Sequence, residues 1–365
     1  MKQHLEIIGF NEGRIIHISN AMKNVLDQLK IEDKFLGIIF TENDLKVVET
    51  EDFFDITMYE LINQKLTIVI DRNLYIAARE LHDTRCLKTE RHSFFAQLLI
   101  YAMFTNAAFD PTIPTYEGGN TEKIRAIDDI LKFRVINNLP LDKMMDLVYG
   151  QIGSISKNEL LKAKIRMHPM DKVTIEEDYN KKLTLFKRNY PYILKTTLLL
   201  RSPEFSLYRK IKYFFNWMMK EYITISEAIT FALFCFHKNG GVIIGYKTNN
   251  YNELIASIKN ATWDVTLISY LKDQAKKNVD RYYLLATNDQ KLLEATKYYL
   301  SPDETRINKL FGSKAVEVNR IFSKTNEICR LPGREKLILS RLDKVDSLIT
   351  SLENEIKKTI EVKVS

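Results

Sequence analysis

Residues 66–75 read LTIVIDRNLY: five apolar or β-branched residues run into Asp71, and Asn73 stands two positions on. An unbroken apolar run rich in Ile, Val and Thr predicts a strand covered on both faces within a parallel sheet. A carboxylate at the C-terminal end of such a strand stands where open α/β sheets place their ligands, in the crevice beyond the strand ends. The same Asp71 is also a good N-cap for the helix predicted over LYIAARELHD, so the stretch alone supports a capping role as well as a functional one.

The pattern occurs twice. In residues 281–299, RYYLLATNDQKLLEATKYY, an apolar run ends in Thr287, Asn288 and Asp289 and passes directly into an amphipathic helix. Two parallel strands that end in Asp, if adjacent, crowd two carboxylates at one edge of a sheet, where their charges repel. Such a cluster persists when cations sit in it, and Mg²⁺ or Mn²⁺ held by a few carboxylates and a substrate phosphate is the usual arrangement for phosphodiester hydrolysis. Glu117 and Asp264, each placed near a helix start, are the candidates to complete the ring.

The rest of the chain sets the frame. With 365 residues there is room for one large or two ordinary domains, and a net charge of +7 tilts the protein toward a polyanionic partner such as nucleic acid. Cys86, Cys235 and Cys329 form neither a CxxC pair nor an even disulfide set, which predicts a reducing, cytoplasmic location. The N-terminal residues lack a long apolar core of the secretory kind. The most hydrophobic segment, YFFNWMMKEYITISEAITFALFCF (213–236), is interrupted by Lys220, Glu221 and Glu227; it predicts a buried helix pair and no membrane partner. There is no GxxxxGK[ST], GxGxxG or HExxH motif and no cysteine-based zinc spacing.

Residues 1–65 alternate strand-like runs (HLEIIGF, RIIHIS, FLGIIFT) with a helical stretch, AMKNVLDQLK, and predict an N-terminal α/β lobe. SFFAQLLIYAMFTNAAF (93–109) predicts one buried helix, and DPTIPTYEGGN (110–120) a rigid loop with a new helix beginning at Tyr116 and Glu117. Residues 136–239 are almost wholly of helical period and form an insertion. Its stretch 179–201, rich in Lys, Arg and Tyr, suits either a nucleic-acid-contacting surface or an ordinary solvated amphipathic helix. NGGVIIGYKT (239–248) reads as a turn into a strand. In the helical tail, 301–365, Ile338, Leu342, Val345, Ile349, Leu352 and Ile356 are separated alternately by four and three residues. This coiled-coil seam favours a homodimer through 338–356 over docking on the body.

Asp71 with Asn73 after a strand, the DPTIPTYEGG loop with its Glu, the ATWDVTLISYL helix and LLATNDQKLL together resemble the larger bacterial members of the PIN-like nuclease superfamily. The resemblance covers residues 66–135 and 240–300. It implies a PIN-like parallel α/β sheet flanked by helices, with the helical insertion and the coiled-coil-like tail added to it. It also implies divalent-metal-dependent hydrolysis of RNA, less often DNA, in a family that includes toxins and antiviral defence effectors. By position, Asp71 is the first-strand acid with Asn73 supporting it, Glu117 and Asp264 the middle acids, and Asp289 the acid of the terminal motif, flanked by Thr287 and Asn288. The long insertion between Glu117 and Asp264 departs from smaller members. A regulatory protein partner, needed to restrain a nuclease, is a further expectation.

Two competing readings stand beside this one. Arg85 and His92 bracket CLKTER at a spacing that suits a metal-independent Arg/His ribonuclease. A catalytically inactive scaffold could instead bind nucleic acid or a partner through its insertion and coiled coil.

Overall fold

A computed structural model of the chain describes residues 5–11, 14–19, 35–41, 44–48, 65–104, 106–118, 123–164, 169–237, 243, 245–278, 281–300, 307–308, 310–329 and 334–361. In chain order the elements are β1 (Leu5–Asn11), β2 (Arg14–Ser19), β3 (Phe35–Thr41), β4 (Asp44–Val48), β5 (Lys65–Ile70), α1 (Arg72–Thr84), α2 (Glu90–Phe104), β6 (Ala108–Asp110), α3 (Thr112–Gly118), α4 (Lys123–Asn137), α5 (Leu141–Val148) and α6 (Lys157–Ala163). They continue with α7 (Pro169–Leu200), α8 (Leu207–Glu221), α9 (Ser226–His237), α10 (Tyr251–Lys277), β7 (Arg281–Ala286), α11 (Gln290–Leu300), α12 (Ala315–Cys329), α13 (Arg334–Leu342) and α14 (Val345–Glu361). The chain divides into two compact units, unit 1 comprising Met1–Asn180 and Tyr270–Leu293, and unit 2 comprising Lys181–Ser269 and Glu294–Ser365.

Unit 1 is built on a five-stranded sheet of order β4-β3-β7-β5-β6. Its β7, β5 and β6 run parallel, with Ile70 opposite Ala286 and Val69 opposite Asp110. β3 pairs antiparallel with β7 on the other side, so the sheet extends into the N-terminal segment. β5 and β7 are therefore internal strands, which is why both read as continuous apolar runs. Leu66, Ile68, Ile70, Leu284 and Ala286 join Leu74, Ala78 and Leu81 of α1 and Phe95, Leu98 and Leu99 of α2 in one core. Tyr75 of α1 stacks on Phe133 of α4 at 5.5 Å, and Arg79 pairs with buried Asp129 at 3.4 Å, tying the two helices together. The helical stretch read over residues 21–30 lies outside the described residues.

Three local expectations are corrected in this unit. The apolar run 93–109 is not one helix. α2 ends at Phe104, Asn106 takes a left-handed φ of 51°, and the Ala107 N–H bonds back to Ala102 O at 2.8 Å, a helix-ending pattern that releases the chain into β6. The proline stretch is helix rather than loop, because Pro114 falls in the first turn, where no N–H is required of it. Glu117 consequently stands at the end of α3, not at the start of a helix.

Unit 2 is helical. The segment 213–236 falls in α8 and α9; residues 228–236 of α9 are buried as expected, but α8 is amphipathic, with Tyr213, Asn216 and Lys220 exposed, and among the described residues no helix is long and apolar enough to cross a membrane. Of 239–248, residues 245–247 form a turn, with Gly245 at φ 72°; most of the apolar run read as a strand lies outside the described residues. The C-terminal seam is corrected as well. It breaks into α13 and α14 at Asp343–Lys344, so there is no continuous coiled coil. The second half of the seam is occupied within the chain: Leu352, Ile356 and Ile360 are buried, Tyr190 donates to Glu353 at 2.8 Å, and Arg201 donates to Thr359 at 3.2 Å.

Candidate functional site

The parallel register of β5 and β7 decides which side chains meet. With Ile70 opposite Ala286, the Asp71 N–H donates to Ala286 O at 3.2 Å, and the next residues on the two strands, Asp71 and Thr287, fall side by side. Asp71 is 4 % exposed and is the N-cap of α1, its Oδ1 accepting from the Leu74 N–H at 2.8 Å. Its Oδ2 accepts a short hydrogen bond from the Thr287 hydroxyl. Thr287 Oγ1 in turn accepts from the Asp289 N–H at 2.9 Å, so one buried threonine braces both acids. Asp289 repeats the capping geometry at α11, its Oδ1 accepting from the N–H groups of Lys291 and Leu292 at 2.8 and 3.1 Å.

Burial dominates the electrostatics of Asp71 and Glu117, with neighbouring carboxylate charges adding to it. Burial, opposed by the Thr287 and Leu74 donors and by Asn73 and reinforced by the charge of Asp289, pushes the Asp71 carboxyl up to about 6. Glu117, half-buried in the last turn of α3, is pushed up to about 7, chiefly by burial, with Arg72 opposing and Asp71 adding to the rise. A carboxylate at the negative end of a helix is also poorly placed for local stability, so its position needs another reason. Asn288 adds a buried Oδ1 that has no hydrogen-bond partner among the described residues.

Asp71, Glu117, Thr287, Asn288, Asp289 and Asn73 are thus gathered in unit 1. Asp264, expected near a helix start, lies instead half-buried in the middle of α10 in unit 2, because nothing in NELIASIKNATWD breaks the helix before Trp263.

Arg72 is the residue the sequence reading passed over. It opens α1, where the helix dipole disfavours a cation, and that misplacement was the available signal. Its Nη1 donates to Pro114 O at 2.7 Å, its charge faces Glu117, and the guanidinium fills the space beside Gly118, where an added Cβ would lie 2.1 Å from Nη1. Gly118→Ala is therefore expected to push the guanidinium off Pro114 and cost up to about 2 kcal/mol, the net worth of a charge-assisted hydrogen bond. In an Arg72→Gln background the same substitution should cost little, a coupling that a double-mutant cycle by urea unfolding reads directly. Asp110, at the end of β6, is a further strand-end acid, but both of its oxygens are engaged, Oδ1 by the Thr112 N–H at 3.0 Å and Oδ2 by the Tyr270 hydroxyl at 2.8 Å.

The Arg/His alternative has a structural explanation. Arg85 closes α1 in a left-handed conformation with φ 64°, its N–H bonded to Leu81 O. His92 is buried with Nδ1 accepting from the Lys88 N–H at 3.2 Å and Nε2 3.1 Å from Glu80 Oε2.

Among the described residues, no group of three or more His, Cys, Asp or Glu side chains is arranged to hold a metal ion. Mg²⁺ asks for less than that. It keeps most of its waters and takes one or two carboxylates together with substrate phosphates. Asp71 and Glu117, repelling each other under burial, and the orphaned Asn288 Oδ1 are the hard oxygen donors such an ion prefers, so the residues present fit it. No protein-family model, curated protein or solved structure matches the chain.

Proposed function

We propose that unit 1 is a metal-dependent nuclease that hydrolyses phosphodiester bonds, with RNA favoured over DNA, and that Asp71, Glu117 and Asp289 hold Mg²⁺ or Mn²⁺. The observation that carries the reading is the buried Asp71 carboxyl, whose pKa of about 6 reflects burial and the nearby Asp289 charge. A protein with no use for that charge gains nothing by keeping it buried beside other acids. The net charge of +7 suits a polyanionic substrate.

When bound, a divalent cation supplies Lewis acidity toward a phosphate oxygen. The chain's own residues do the rest. Thr287 fixes the orientation of Asp71 and ties it to Asp289. Asn73 favours the charged form of Asp71, the form that binds cations. Arg72, immobilised by Pro114 and Gly118, holds a positive charge beside the cluster, where it draws in a phosphate and keeps Glu117 ionised to a lower pH than burial alone allows.

The test is incubation of the full chain with labelled single- and double-stranded RNA and DNA in Mg²⁺, Mn²⁺ or EDTA. The expected result is cleavage of single-stranded RNA in either metal and none in EDTA. Cleavage that survives EDTA, or no cleavage of any substrate, overturns the reading. The second outcome leaves Asp71 and Asp289 as helix caps, which their bonds to Leu74, Lys291 and Leu292 already make them.

A further inference from the structure

Unit 2 contains a cavity of about 550 Å³ between three of its helices, and its lining has a mixed chemistry that an ordinary core gap lacks. Each helix presents one stripe to it. α7 contributes Lys195, Leu198 and Leu199; α8 contributes residues at positions 213, 216, 217, 220 and 221, all on one helical face; α14 contributes Glu355, Lys358 and Thr359. The volume is that of a small-molecule pocket.

The apolar part is aromatic and rigid. Tyr213 is 42 % exposed and is held flat against Phe205 with centroids 4.8 Å apart and planes at 15°. Arg209 covers the same pair at 4.8 and 5.6 Å, fixing their orientation. Trp217 is buried, stacked on Tyr222 at 5.7 Å.

The charged part holds three lysines against two glutamates, and of the three lysines only Lys195 has a carboxylate partner among the described residues. Lys195 lies 5.8 Å from the centre of the Trp217 ring and only 3.9 Å from the nearest carboxylate oxygen, that of exposed Glu355. The Lys220 and Lys358 ammonium groups have no carboxylate partner among the described residues, yet both line the same space. Glu221, Glu355 and Asn216, also in the lining, supply acceptors for hydroxyl or amino groups of one ligand.

A lipid chain would not use three lysines, and a bare anion would not use a stacked aromatic pair. We propose that this cavity binds a nucleoside phosphate, its base against the exposed part of the Tyr213 ring and its phosphate among Lys195, Lys220 and Lys358. Aromatic faces with a cationic track are the general means by which proteins hold a nucleotide without reading its sequence. The ligand can be a free mononucleotide or one unit of a single strand. The inference does not depend on the carboxylate cluster being a nuclease.

Calorimetry on the full chain in EDTA tests it, with AMP, UMP, adenosine, inorganic phosphate and a short oligouridylate as probes, because binding is then read where no metal-dependent cleavage occurs. The expected result is binding of the mononucleotides or the oligonucleotide, on the order of tenfold weaker in Tyr213→Ala, the low end of what stacking on an aromatic ring is worth. In Lys220→Gln/Lys358→Gln the affinity should fall and its salt dependence flatten. Both variants change exposed side chains and should stay folded, the lysine pair at the wild-type melting temperature and Tyr213→Ala slightly below it for want of its stack on Phe205. Binding of the oligonucleotide alone identifies a strand as the source, and equal binding of mononucleotides identifies the free form. Phosphate binding as tightly as AMP, identical affinities in wild type and both variants, or no binding at millimolar probe overturns the proposal.

Discussion

Asp71→Asn is expected to lose at least about 100-fold of metal-dependent cleavage while becoming more stable to unfolding in EDTA at pH 7.5. The first half follows from the place of Asp71 in the cluster. Removing groups that merely support metal ligands costs about 10–100-fold, and a direct ligand should cost no less. The second half follows from its bonds. An Asn keeps the oxygen that accepts from the Leu74 N–H, so the cap of α1 survives, while the buried charge that Asp289 repels is gone. A purely capping role predicts the reverse pairing, with unchanged chemistry and unchanged or lower stability. Cleavage rate and urea midpoint measured on the same preparations separate the two, and a variant that cuts at the wild-type rate sinks the assignment.

The metal-free protein should also lose stability as pH rises from about 4 to 7.5, on account of Asp71 and Glu117. Their folded-state pKa values, about 6 and about 7, stand above the ordinary 3.8 and 4.5. The folded state therefore holds their protons to higher pH than the unfolded state does. Their contribution is fully present below the unfolded values and is lost as pH climbs through the folded ones. For Asp71 alone the loss is on the order of 3 kcal/mol. Other groups titrate in the same window, so the informative quantity is a difference. Urea unfolding across that range in EDTA should show a steeper decline for wild type than for Asp71→Asn/Glu117→Gln, and parallel profiles would contradict the account. Adding Mg²⁺ or Mn²⁺ at pH 7.5 should restore wild type, since a ligand that binds only the folded state stabilises it.

How much of this was legible depends on whether the information is local. β5, α1 and β7 could be read directly, because internal strands and an amphipathic helix leave strong periodic signals in LTIVIDRNLY and RYYLLATND. The meeting of Asp71 with Thr287 could be anticipated only as a condition, that two Asp-ended strands be neighbours; the register that fulfils it is a pairing across the chain. β6 was hidden because three residues are too few to show alternation, and because the turn before it rests on Asn106 rather than on a Gly or Pro. The break in the C-terminal seam was hidden for a like reason, since Asp343 and Lys344 carry no breaker. β3 beside β7 is again non-local, and so is the packing of Leu352 and Ile356 within unit 2. Arg72 was in plain view between Asp71 and Asn73. Its partner, the Pro114 carbonyl, is 42 residues away.

The strand order also fixes a sequence of events during synthesis. β7 lies between β3 and β5, yet it is the last of the five to be made, and Thr287 follows Asp71 by 216 positions. At roughly 5–20 residues per second, on the order of 10–40 s pass between the two leaving the ribosome. Through that interval β3 and β5 lack the strand that joins them, and Asp71 lacks the hydroxyl that holds it. A nascent chain that stalls short of residue 281 carries Asp71 and Glu117 but no assembled pair of strand ends. On the proposed reading, the cutting site comes into being only when translation has moved past the whole helical stretch between them, which keeps an unfinished molecule harmless to the RNA around it.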